Sequence, residues 1–235
     1  MNVRTSLFPT LAAIYALAAA GSATGQTKTL DQGPHRMELT LERQAGDAWR
    51  VEDPGLVFSQ DDRVRFRFHT NFDGYLYVMN QATSGDYQIL FPRQDTGQQN
   101  RIEAGKEYLV PATQGWFRVA GPPGYDILYW MVTPLSIGEQ PKYQPLPPPP
   151  KPGAAPPRLI PRCDDTIFKA RGECVDGSAG AKEAPPADKL PDNLSKAPGL
   201  SSRPLVFIRE KDVSVVASPG PLTAPAIYEF RLAHR

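Results

Sequence analysis

Few residues of this 235-residue chain have the type and spacing to do chemistry. The two cysteines, Cys163 and Cys174, stand eleven positions apart. They are too few for a four-cysteine zinc site and too widely spaced for a Cys-x-x-Cys redox pair. A single disulfide in an oxidising compartment is what they suit. It would close a short loop and stabilise it by roughly 2.5–3 kcal/mol on the chain-entropy account. Asp164, Asp165, Glu173 and Asp176 are hard oxygen ligands nearby, but no calcium-loop spacing joins them. Asp61-Asp62 and Asp95 to Asn100 read as polar loops on the same ground. His35 and His234 lie near the chain ends, and His69 continues a run of arginines. Neither Gly-x-Ser-x-Gly nor His-Glu-x-x-His occurs. The expectation is therefore a protein that is not an enzyme, with no catalytic, cofactor-binding or metal-binding residues.

Two further groups could make contacts rather than bonds. Arg63, Arg65 and Arg67 alternate with Val64, Phe66 and Phe68, so the three cations share one face of a strand. They would contact an anionic partner (peptidoglycan carboxylates, lipid phosphates, an acidic protein) or balance the carboxylates of a neighbouring strand. Tyr75, Tyr77, Tyr129 and Trp130, with Trp116 and Tyr125, could line an apolar, carbohydrate-stacking surface. Aromatic residues on strands equally fill a sandwich core.

The elements that must position these residues read as strands. From Met37 to Val132 the dominant period is two, as in Met37-Leu39-Leu41 against Glu38-Thr40-Glu42. Further strand-like runs are 49–51, 63–69, 75–79, 88–91, 107–110, 116–119 and 125–132. Turn signals lie between them: Ala45-Gly46-Asp47, Thr83-Ser84-Gly85-Asp86, Ala104-Gly105 and Gly121-Pro122-Pro123-Gly124. Asp73-Gly74 reads as the tight turn of a hairpin, with glycine supplying a positive φ. Pro92 and Pro111 should each end a strand, since proline cannot donate to the ladder. The runs 75–79 and 125–132 are apolar on both faces, so something must cover the second face: this chain's own C-terminal segment or a partner.

Composition sets the frame. With 26 Lys+Arg against 25 Asp+Glu, the chain lacks the cationic excess of a nucleic-acid binder. Residues 1–25 carry one charge, Arg4, then the apolar run Leu11 to Ala20 and small residues to Gly25. That is the pattern of a secretory signal peptide, with cleavage after Gly25. Its apolar run is too short to span a bilayer, no lipobox cysteine is present, and no later stretch is apolar enough to cross. Of the 26 prolines, 11 fall in the 28 residues from 134 to 161, a composition that favours extended polyproline II. Leu146 to Pro152 would serve as a spacer or as a ligand for an aromatic groove. Strand signals return at 205–208, 213–216 and 227–232. Three short strands are marginal alone, so they should join the earlier sheets rather than form a separate hairpin.

Three stretches carry a family resemblance: Phe72-Asp73-Gly74-Tyr75-Leu76-Tyr77-Val78, Leu90-Phe91-Pro92, and Asn100 to Tyr108 with Val110-Pro111. Together with Pro123-Gly124 they resemble DUF4384, a family of bacterial exported domains of unknown function, over roughly residues 35 to 135. The resemblance implies a β-sandwich module of envelope proteins. It implies no activity, and no site residues carry over.

The combined reading is an all-β protein, an immunoglobulin-like β-sandwich with a long Pro-rich disordered insertion. Its parts are a signal peptide (1–25), an N-terminal lead (26–36), the DUF4384-like sandwich (37–137), a flexible excursion bearing Cys163 and Cys174 (138–203), and strands that complete the sandwich (204–235). It would be exported and soluble, in the periplasm or outside the cell. Its function would be protein–protein interaction in an envelope assembly; the alternative is peptidoglycan or glycan binding, and a hydrolase is the remaining option. No nucleic acid and no transmembrane segment enter this reading.

Overall fold

The computed structural model of the chain describes residues 34–136, 160–163, 173–195 and 205–235. The expected signal peptide and the proline-rich stretch from 138 to 159 lie outside the described residues.

The alternating runs form strands in two antiparallel sheets, which pack face to face as a β-sandwich. In chain order the strands are β1 (His35–Ala45), β2 (Ala48–Glu52), β3 (Arg63–Thr70), β4 (Gly74–Gln81), β5 (Tyr87–Phe91), β6 (Arg101–Ile102), β7 (Glu107–Val110), β8 (Phe117–Arg118), β9 (Gly124–Thr133), β10 (Gly180–Glu183), β11 (Val206–Glu210), β12 (Val213–Ser218) and β13 (Ala226–His234). The first sheet runs β11-β12-β1-β3-β7, with β2 also beside β1 and β8 also beside β3. The second runs β10-β13-β9-β4-β5, with β6 also beside β4. The terminal strands thus enter both sheets: β12 pairs with β1, and β13 pairs with β9 along its whole length.

The core lies between the sheets. Trp130 is fully buried at its centre, edge-on to Phe66 at 5.3 Å and stacked on Phe68 at 5.5 Å. Phe66 also meets Phe230 edge-on at 5.5 Å. Aromatic clusters of this kind add to the stabilisation their buried area supplies.

Several expectations need correction. Asp73-Gly74 is no hairpin turn, because β3 and β4 lie in different sheets. Gly74 is absent from the positive-φ positions and opens β4. Glycine is required there by close approach: a Cβ would sit 2.8 Å from the Thr133 carbonyl oxygen on β9. By contrast Gly105, between β6 and β7, does adopt a positive φ of 77°. Pro92 and Pro111 directly follow the last residues of β5 and β7, and both preceding peptide bonds are cis. Residues 173–195, assigned to the flexible excursion, hold ordered structure: β10, a 3-10 turn at Ala187–Lys189 and a short helix, α1 (Asp192–Ser195). Their few apolar residues follow no period, so nothing in the local sequence announces them. Docking on the second sheet orders them. The lead is also shorter than expected, since β1 begins at His35.

Candidate functional site

The arginine row stands on the outer face of the first sheet, and strand neighbours engage it. Glu42 of β1 is 5% exposed and holds two of the three cations: Arg65 donates to it at 2.6 Å and Arg67 stands 3.0 Å away. Arg67 also reaches Glu107 of β7 at 3.4 Å. The register explains this: Glu42 lies directly opposite Arg65, and Thr40 opposite Arg67, so the carboxylate sits between the two guanidinium groups. Arg63 makes no ion pair with any described residue. It donates to Gln44 at 3.2 Å and stacks on Trp116 at 4.4 Å. Arg65 lies over the ring of Trp49 at 4.2 Å. Such cation–π contacts contribute about 0.5–1 kcal/mol at exposed sites. Trp116, 43% exposed, is the most solvent-accessible aromatic of this face.

The aromatic surface expected from Tyr75, Tyr77, Tyr129 and Trp130 does not exist as one surface. Trp130 faces the core, whereas the other three point to the outer face of the second sheet. Tyr129 is 2% exposed there. That face is covered by this chain itself: Leu190 and Leu194, the latter fully buried, pack on Met79, Tyr129, Met131 and Ile227. Tyr77 borders this cluster, and Tyr75 is half-buried beside Thr133. Burial pushes the Tyr129 hydroxyl up to about 12, with Glu229 nearby adding to the effect. The hydroxyl donates to Gln81 at 3.2 Å.

Cys163 and Cys174 form the expected disulfide. Asp176 organises the segment around it. It accepts from the Tyr125 hydroxyl at 2.5 Å and from the amides of Arg162 and Ser178, each at 2.7 Å. Burial would raise the Asp176 pKa, but these hydrogen bonds outweigh it and hold the carboxyl below its ordinary value. The segment then runs against residues 55–57, where Val57 donates to the Cys174 carbonyl and Asp176 to that of Gly55, each at 2.8 Å.

One edge of the first sheet has no neighbour among the described residues. β11 pairs with β12 and with no other described strand. Val206 and Ile208 are 49% and 44% exposed on it. Phe207, between them, turns inward to Tyr228, and Arg209 pairs with the buried carboxylate of Asp53.

A feature that the sequence reading missed lies inside the sandwich. The inner face of the second sheet is apolar along β4, β9 and β13, then ends on three adjacent strands in Asn80, Asp126 and His234. His234 is fully buried, with its Nε2 3.5 Å from Asp126. That contact is not a hydrogen bond, and neither ring nitrogen has a hydrogen-bond partner among the described residues. The available signal was Asp126 itself, a charge at an inward position of the most apolar strand.

These elements define a two-sheet antiparallel β-sandwich, bound by a disulfide and completed by strands from both ends of the chain. Residues 57–134, from the loop before β3 through β9, match the family described as Domain of unknown function (DUF4384). No curated protein and no solved structure matches the chain.

Proposed function

We propose that the protein is a non-catalytic, immunoglobulin-like sandwich module, exported to a bacterial cell envelope, that binds an extended segment of a partner protein. The observation that carries this reading is the β11 edge, unpaired among the described residues, with Val206 and Ile208 exposed. An unpaired apolar edge is a template for one more strand: main-chain hydrogen bonds supply affinity and alternate side chains supply specificity. Val213 of β12, half-buried, borders Glu210 at the end of this strand pair, and Arg36, Glu38 and Glu210 form a charged rim beside it. Export is supported by the leader-like sequence of residues 1–25 and by the disulfide, which suits an oxidising compartment. No helix among the described residues is long and apolar enough to cross a membrane.

The test is site-specific photo-cross-linking in intact cells. A cross-linker at position 206 should yield a discrete heterologous adduct, one at exposed Val51 should not, and Ile208→Lys should abolish the first. Equal adducts from both positions, no adduct, or an adduct of two copies of this chain would overturn the reading.

Cell-wall glycan binding is a second reading, favoured by the exposed Trp116 ring with Arg63 stacked on it. It requires salt-sensitive co-sedimentation with peptidoglycan sacculi that Trp116→Ala and Arg63→Gln both weaken. No binding at low salt would eliminate it.

A further inference from the structure

We propose that the cavity between the sheets at the Asn80–Asp126 end binds a small organic cation, a primary ammonium carried on an apolar body. The cavity has a volume of about 290 Å³, near the lower limit of small-molecule sites. Its apolar walls come from both sheets, including Val64 and Phe66 on one side and Leu90 and Leu128 on the other. Polar groups do not belong on these inner strand positions, and burying them costs free energy unless they are paired. Local rules tend to be broken where a site needs them broken.

Of the acceptors that line the cavity, Asn80 and Asp126 stand on the inner strand positions. The Asn80 Oδ1 atom is buried and accepts no hydrogen bond from any described residue. Asp126 is 8% exposed. Its Oδ1 accepts from the Thr83 amide at 3.0 Å and faces His234, and the residue is part of the cavity wall. A buried acceptor left unpaired is penalised, and an ammonium brings three donors and no acceptor, so one group can serve both oxygens. A carboxylate ligand would instead meet Asp126 as a like charge. The arginines at the rim do not exclude a cation, because each has its own acid: Arg93 donates to both oxygens of Asp95, at 2.9 and 2.7 Å, and Arg118 stands 3.6 Å from Asp61. Trp116 also lines this cavity, and its indole reports on occupancy.

The experiment titrates the purified protein with benzylamine, toluene and benzoate. It follows the Trp116 indole and Asn80 side-chain amide signals by NMR. Benzylamine should shift both signals saturably, toluene should bind at least about tenfold more weakly, and benzoate should not bind, as expected where one charge-assisted hydrogen bond decides. Asp126→Asn and Asn80→Leu should each weaken benzylamine about tenfold and leave toluene unchanged. Asn80→Leu keeps the inner row apolar and serves where Asp126→Asn fails to fold. Toluene binding as tightly as benzylamine, benzoate binding at the same signals, shifts that map elsewhere, or no saturable shift would each overturn the proposal.

Discussion

The two sheets deal with their outer faces in opposite ways. Along β1 and β3 the first sheet faces outward with charge: Glu42 between Arg65 and Arg67, and Arg63 and Arg65 against the rings of Trp116 and Trp49. The second faces outward with apolar side chains, which the segment from Ala184 to Leu194 covers. Both strategies start from the same strand period. The difference is the residue type on the second face, since long charged side chains pair with one another and stay wet, whereas apolar ones require a cover. An apolar strand on both faces therefore signals a third layer, and here this chain supplies it.

The largest effects should come from removing that cover. Leu194→Asp places a charge against Met79, Tyr129 and Met131 and should cost about 3–4 kcal/mol, the range of severe core changes. Urea denaturation would measure it, and dye binding to the uncovered face would show that the loss lies there. An unchanged midpoint would mean the segment contributes little and the face tolerates water.

Reduction of Cys163–Cys174 ranks next. It frees the segment that leads to the cover, and about 2.5–3 kcal/mol should be lost for a crosslink of sequence separation 11. The midpoint with and without reductant measures it. A loss under half that size would show that the β10 pairing holds the segment without the crosslink.

On the charged face the effects should be smaller and graded by burial. Glu42→Gln leaves two guanidinium groups without their buried carboxylate and should cost about 1–2 kcal/mol. Glu107→Gln, at the exposed end of the same network, should stay within about 0.5 kcal/mol. Equal costs would contradict the account of Glu42 as the anchor of that face.

Asp176 supplies a pH test with a definite sign. Its folded-state pKa lies below its ordinary value of 3.8, so its contribution to stability is present above that value. It is lost as pH falls through the lowered folded-state value. The urea midpoint of the natural protein should therefore drop more steeply below about pH 4 than that of Asp176→Asn. Parallel curves would show that the Tyr125 and amide hydrogen bonds do not favour the carboxylate.

Much of the fold could be read from alternation. The run at 63–69 became a strand close to those bounds because its side chains differ sharply between faces, and the apolar, strand-prone runs at 107–110 and 213–216 did so as well. The pairing partners could not be read that way. Asp73-Gly74 illustrates why: a turn signal between two strands does not say whether the chain turns back in its own sheet or crosses to the other. The same limit applies to Trp130 and Tyr129, which stand next to each other on a strand apolar on both faces. Alternation placed them on opposite sides but could not say which side was the core. β10 and α1 escaped notice because their residues are mostly small and polar, and long-range docking orders them.

By itself the sequence determined that this is an all-β chain with a family-like middle, one cysteine pair and an arginine face, because residue type and period are local properties. Only the tertiary structure decided that Glu42 sits between two arginines, that the apolar outer face is covered by residues 184–194, and that Asn80, Asp126 and His234 meet at one end of the inner face. Those juxtapositions depend on strand order and register, which bring together positions far apart in the chain and which no local pattern encodes.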